Sequence, residues 1–237
     1  MARPNLSTAS RRLEAGASAE SVADTLRRAV LAHRVAPGVK LSEEEVGNAL
    51  GVGRTIVREA LRTLAHEHLV EIHRNRGAFV VRPDKREAIE IFEARSLLEP
   101  RTARSAAERA VYADVSDLRR HLTEESEAMA VGDSGRAVYL SGQFHVQVAR
   151  IANQITIARF IESLVLRSSL IVALYWRRPS AMCECHAHEA LVDAMAAGDG
   201  ARAEEIMRGH LVDLLSGLDL AERPRSDVSL AAALKGL

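Results

Sequence analysis

The stretch Leu50-Gly51-Val52-Gly53-Arg54-Thr55-Ile56-Val57-Arg58-Glu59-Ala60-Leu61-Arg62 decides how this chain is read. Val57, Ala60, Leu61, Leu64 and Ala65 recur at the spacing that buries one face of a helix. Arg54, Arg58 and Arg62 step by four along another face and project together into solvent. Alone, a charged outer face is usually just a solvated face. Its neighbours make this one a candidate reader of a DNA groove.

Upstream, Ser42 with Glu45 three residues on forms a capping box. It opens a short helix ending near Leu50, with Val46, Ala49 and Leu50 as the apolar side. Gly51 permits the tight turn into the next helix. Two short helices joined this way predict a helix-turn-helix, the second being the reading helix. Further upstream, Val22, Leu26, Ala29 and Val30 stripe a longer helix over about 19–33, and Pro37-Gly38 turns the chain after it. Downstream, 70–73 and 78–82 read as strands around Arg74-Asn75-Arg76-Gly77, where Asn and Gly suit left-handed turn positions. Three helices plus a basic hairpin predict a winged helix-turn-helix over 19–83, its wing lying against phosphates or reaching into the minor groove.

The 237 residues suit one or two domains. A formal net charge of zero hides a split: residues 1–83 carry thirteen Lys/Arg against nine Asp/Glu, and the remainder nineteen against twenty-three. A basic front and an acidic back fit a DNA reader joined to a partner domain that avoids DNA. Residues 1–18 are polar and alanine-rich and read as a disordered arm without a secretory signal. No apolar run approaches membrane-spanning length. The only cysteines, Cys183 and Cys185, are badly spaced for a bridge to each other, so a reducing cytoplasm is expected. Cys183-Glu184-Cys185-His186 lacks the second pair that a zinc site would need, and reads as boundary thiols.

After Asp84, Ala, Leu, Arg and Glu dominate at helical spacing. Helices are expected near 85–110, 114–131, 134–151, 154–175, 181–197 and 200–221. The fold class is therefore mainly α, the winged motif being followed by an antiparallel bundle of six to seven helices over 84–222. A tail, 223–237, has room for one short helix from Leu230 to Leu237. His145 aligns with Val148, Ala149 and Ala152. His188 aligns with Leu191, Val192 and Met195, and His210 adjoins Met207, Leu211 and Leu214. A single inward histidine is usually a hydrogen-bonded core residue. Three on converging helices suggest a shared polar cavity or a metal site, for which imidazole suits Zn, Ni, Mn or Fe.

Residues from about 21 to 83 resemble the DNA-binding domain of the GntR family, through Val39-Lys40-Leu41-Ser42-Glu43, Leu50-Gly51-Val52-Gly53-Arg54-Thr55, Val57-Arg58-Glu59-Ala60-Leu61 and Asn75-Arg76-Gly77-Ala78-Phe79-Val80. The chain departs from that pattern at three places. Gly53 replaces the usual Ser or Thr and loses a side-chain helix cap, Ile56 stands where proline is common, and Glu44 falls where some members carry a base-reading arginine. Residues from about 87 to 218 resemble the FCD ligand-binding domain of FadR-type members, through Arg95-Ser96-Leu97-Leu98-Glu99-Pro100, Phe144-His145, Ala152-Asn153, His188-Glu189-Ala190-Leu191, Ala197-Gly198-Asp199 and Met207-Arg208-Gly209-His210-Leu211.

The resemblance implies a transcriptional regulator, not an enzyme. It would act as a homodimeric repressor on an inverted-repeat DNA operator under the control of a small organic acid. DNA contacts are expected from Ser42, Arg54, Thr55, Arg58 and Arg62, and from the wing residues His73, Arg74, Asn75, Arg76 and Gly77. The resemblance further implies a divalent metal held by one aspartate and three histidines. His145, His188 and His210 match the histidines, and Ser141, a far poorer ligand than a carboxylate, stands in the aspartate's place, so either the three histidines hold the metal together with water or effector, or the site is metal-free. Arg95 would face the effector, since a guanidinium can grip a carboxylate with two hydrogen bonds, although an ion pair with Glu99 one turn along is an equal reading. Effector contacts are thus expected from Arg95, Ser141 and the three histidines. Two rivals stand beside this reading. A metal-dependent hydrolase would use the three histidines but lacks an evident carboxylate base beside them, because Glu189 points about 100° away from His188. A ligand-independent DNA-binding protein would leave those histidines and Arg95 without a task.

Overall fold

A computed structural model describes residues 17–32, 34–176, 182–220 and Leu230, with 182–185 as backbone only. The expected arm up to residue 16, the tail beyond 220 apart from Leu230, and the Cys183 and Cys185 thiols lie outside the described residues.

The amino-terminal part is a winged helix-turn-helix. Helix α1 (Ala19–Leu31) starts at Ser18, whose side chain accepts a hydrogen bond from the Ser21 N–H at 3.1 Å. Helix α2 (Glu43–Leu50) is capped by Ser42 through the Glu45 N–H and ends at Gly51, which takes a left-handed φ of 70°. Helix α3 (Arg54–His66) begins at Gly53 without a side-chain cap, as its sequence implies. On α2 the buried residues are Val46, Gly47 and Leu50, and the expected Ala49 is exposed. The cause is a close approach: a Cβ on Gly47 would lie 2.9 Å from the Val52 carbonyl oxygen, so the helix turns its glycine toward the connection to α3.

The wing is a three-stranded antiparallel sheet in the order β1-β3-β2. Strands β2 (Val70–His73) and β3 (Gly77–Val80) form the expected hairpin, pairing Val70 with Val80 and His73 with Gly77. Asn75 (φ 60°) and Gly77 (φ 99°) supply its left-handed turn positions. Strand β1 (Lys40–Leu41) adds an edge that sequence reading did not anticipate.

Helices α4 (Lys85–Ala107), α5 (Tyr112–Ala130), α6 (Ser134–Ile151), α7 (Ile155–Tyr175), α8 (Met182–Ala196) and α9 (Gly200–Ser216) form the bundle. Its core gathers Phe92, Leu118, Phe144, Ile171, Leu191 and Met207. The two parts share packing. The core of α1, α3 and the wing continues into Leu170 and Leu174 of α7. Gly135 lets the start of α6 lie against the α1 backbone near Arg28 and Ala32. Arg27, buried on α1, pairs bidentately with Glu67 at 2.8 and 2.6 Å and stacks over Tyr139 of α6. Tyr175 Oη donates to the Pro83 carbonyl at 2.7 Å, at the junction of wing and bundle.

Candidate nucleic-acid interface and candidate metal centre

The apolar stripe of α3 anchors it through Val57, Ala60, Leu61 and Leu64, which leaves Arg54, Arg58 and Arg62 on the outside. A groove of about 420 Å³ runs between α2, α3 and the wing, and brings together Ser42, Arg54, Arg58, Arg62 and Gly77. Thr55 is exposed on the first turn of α3. His73, Arg74, Asn75 and Arg76 form the exposed tip of the wing, with Arg76 and His73 both against the Phe79 ring.

Two features of this face were not anticipated. Lys40 on β1 lines the same groove and is exposed. Its position directly before Leu41-Ser42 was the available signal. Each arginine of α3 also has a carboxylate partner: Arg54 with Glu44 at 3.1 Å, Arg58 with Glu43 at 2.9 and 2.8 Å, and Arg62 with Glu59 at 2.6 Å. These pairs are solvent-exposed and therefore weak, so phosphates or base edges can replace the acids.

The second site is inside the bundle. His145 of α6, His188 of α8 and His210 of α9 are all buried, as their stripes predict. Their rings converge: the Nε2 atoms of His188 and His210 each lie 3.3 Å from Nε2 of His145. Among the described residues these three form the group able to hold a metal ion, with ligand atoms all within 4.8 Å of one another.

Hydrogen bonding fixes one ring. His145 Nδ1 lies 2.7 Å from Glu99 Oε2. Burial alone would raise the Glu99 carboxyl, but Arg95 and then His145 outweigh it and hold it down at about 2. An ionised carboxylate only accepts, so His145 carries its proton on Nδ1 and turns the Nε2 lone pair toward the other rings. Burial, aided by Arg95, lowers the His145 imidazole to about 4. Burial again, followed by the neighbouring His188 and His145, pushes His210 well below the ordinary value. Without a cation, His188 and His210 compete for one lone pair. Three buried imidazoles facing a common point are therefore a donor set that fits a divalent metal.

Arg95 lies on α4, one turn before Glu99. It grips that carboxylate at 2.5 and 3.2 Å and donates to Ser168 Oγ at 2.8 Å. The ion-pair reading of Arg95 thus describes this arrangement, and a two-point grip on an effector would require Glu99 to let go. Arg95, Ser141 and His145 do share a cavity, but it measures only about 30 Å³. The expectation that no carboxylate stands beside the histidines is corrected: Glu99 and Glu125 both do, while Glu189 is exposed. They approach from the Nδ1 side, away from the convergence of Nε2 atoms, because α4 and α5 lie behind the rings. Glu125 of α5 went unread; a glutamate three to seven residues from Leu118, His121 and Leu122 on one buried face was the available signal.

An exposed arginine face on the second helix of such a motif places the chain in the class of winged-helix DNA-binding proteins. Comparison with known proteins makes the class specific. Residues 18–80 match the gntR family of bacterial regulatory proteins, and residues 90–213 match the FCD domain. The HTH-type transcriptional regulator LutR of Bacillus subtilis (strain 168) is 30% identical over 206 residues, spanning 76% of this chain and 93% of LutR. A Paenarthrobacter nicotinovorans protein named "Probable D-xylose utilization operon transcriptional repressor" is 28% identical over 87% of this chain and 91% of its own length. The crystal structure of a GntR regulator from Rhodococcus sp. RHA1 superposes with a TM-score of 0.67 at 27% identity, covering 84% of this chain and 95% of that one. The chain belongs to the GntR family and carries an FCD domain. The family consists of DNA-binding transcriptional regulators rather than enzymes, which removes the hydrolase reading. No helix among the described residues is long and apolar enough to cross a membrane.

Proposed function

We propose that this protein is a FadR-type transcriptional repressor of the cytoplasm. It binds an inverted-repeat operator as a homodimer and releases it when a small carboxylate effector meets a divalent metal held by His145, His188 and His210. The observation that carries this reading is the convergence of three buried imidazoles, with the His145 lone pair turned inward by Glu99. Zn, Ni or Mn each suit such ligands. When bound, the ion supplies a Lewis-acidic anchor for an anionic oxygen.

The residues divide the remaining work. Glu99, held by Arg95, which also donates to Ser168, orients His145. Ser141 replaces a carboxylate, so the protein contributes less negative charge and an acidic effector is favoured at the open positions. The present cavity, about 30 Å³, has roughly the room of one water molecule, so an effector must be small or must part α6 from α7. Both helices touch the DNA-binding part: α6 through Gly135 and Tyr139 against α1, and α7 through Leu170 and Leu174. An effector that favours one placement of these helices then favours one spacing of the two reading heads, by its difference in affinity for the two states. Paired half-sites need paired reading helices, hence the dimer. Leu97 on α4 and Phe160 on α7, 80% and 61% exposed, are apolar side chains that a second copy would cover. The repressor-named relative supports the sign of control.

The test is selection of bound duplexes from a random pool, then anisotropy titrations on the recovered sequence with Zn²⁺ and a panel of small carboxylates. A dyad-symmetric consensus and release by at least one acid are expected. An asymmetric consensus, or affinity untouched by every acid, contradicts the proposal.

A further inference from the structure

We infer that Glu125 orients His188 when a cation occupies the three-histidine centre, standing to His188 as Glu99 stands to His145. The inference rests on the metal reading proposed above. Glu125 is 2% exposed in the middle of α5. A buried carboxylate oxygen without a hydrogen bond is costly, and it is rare unless it serves a site. Glu125 Oε2 lies 3.4 Å from His188 Nδ1, yet neither atom has a hydrogen bond among the described residues.

This paired deficit fits one of the two tautomers open to His188 in the cation-free cluster. When the His145 Nε2 lone pair takes its proton donor from His188 rather than from His210, each 3.3 Å away, the His188 proton sits on Nε2. A neutral ring with its proton on Nε2 has a bare lone pair on Nδ1, which meets the carboxylate of Glu125 with nothing to donate. With a cation at the convergence, the His188 Nε2 lone pair would be taken up as a ligand and the single ring proton would sit on Nδ1, where it can donate to Glu125 Oε2. The ring keeps one proton throughout. His188 lies against Phe144 with centroids 4.2 Å apart and planes at 26°, so a small rotation in that plane aligns the bond without repacking. Two carboxylate–histidine pairs, from α4 and α5, would then hold two ligands, and carboxylate charge absent at Ser141 reaches the metal through the imidazoles.

The experiment uses the full chain stripped with chelator and titrated with Zn²⁺ against a chromogenic competitor. Imidazole nitrogens are followed by long-range ¹H–¹⁵N NMR. Wild type should bind Zn²⁺ and move the His188 proton to Nδ1 on loading. Glu125→Leu should weaken Zn²⁺ by about 10- to 100-fold and broaden or lose that Nδ1 proton signal. Glu125→Gln, nearly isosteric and so the milder change, should weaken it severalfold while keeping the Nδ1 tautomer, because its amide oxygen still accepts. Unchanged Zn²⁺ affinity in both variants, with His188→Ala defective, overturns the role of Glu125 and leaves the metal reading intact. Failure of wild type to take up Zn²⁺ overturns both.

Discussion

Glu43 of α2 holds Arg58 of α3 through two hydrogen bonds, 2.9 Å from Nε and 2.8 Å from Nη2. The pair occupies the groove that duplex DNA would fill, so an acid of the protein stands where a phosphate or a base edge would stand. Arg58 in turn holds the Glu43 carboxyl below the usual carboxylate range. Glu43→Gln removes negative charge from a DNA-facing groove and frees the guanidinium. Affinity for arbitrary duplex at low salt should rise by about three- to tenfold, while the preference for operator narrows. Competition titrations at two salt concentrations check both halves; weaker binding to arbitrary DNA would contradict them.

Arg58 itself carries the complementary prediction. Arg58→Ala should weaken operator binding roughly tenfold or more and relax preference at one base position if the side chain reads a guanine. A uniform loss across all sequences, with a shallower salt dependence, would reassign it to phosphate contact. Operator binding equal to wild type would remove it from the interface.

Gly135 sits where α6 meets α1. A methyl there would fall within contact distance of the Arg28 carbonyl oxygen and 3.0 Å from the Ala32 Cβ. Both are parts of a helix that cannot step aside alone. Gly135→Ala should cost about 1–3 kcal/mol and lower the melting temperature. It should also raise proteolytic sensitivity between the DNA-binding part and the bundle. An unchanged melting curve would show that the two parts are not packed as described.

Acid should destabilise the metal-stripped protein. Burial, against the opposing Glu99 charge, lowers His145 from 6.5 to about 4, and burial with the neighbouring His188 and His145 pushes His210 well below its ordinary value. Between those values the unfolded chain binds protons that the folded chain refuses. The stabilisation is therefore complete above about pH 6.5 and is lost as pH falls toward 4, by about 3 kcal/mol for His145 at most. Urea unfolding at pH 7 and pH 4.5 measures it, and stability that stayed level or rose on acidification would contradict the buried neutral histidines.

Much of this was legible from spacing. The stripe of α3, its outward arginines, the turn at Gly51 and the inward faces of His145, His188 and His210 follow from helical periodicity, which burial enforces. What escaped depends on partners distant in sequence. Strand β1 has two residues, too few to show an alternation. Ala49 and Gly47 are both small, and only the approach of Val52 decides which faces inward. Glu43 meets Arg58 across fifteen residues, and Glu125 meets His188 across sixty-three, so neither pairing leaves a local pattern.

The central claim is that the bundle centre governs the grip on DNA. The direct measurement is operator affinity by fluorescence anisotropy for wild type and His145→Ala, each stripped of metal and then supplied with Zn²⁺ and the releasing acid. Wild type should lose at least fivefold in affinity on loading with both, whereas His145→Ala should bind operator normally and fail to respond. Identical release of both proteins would contradict the claim.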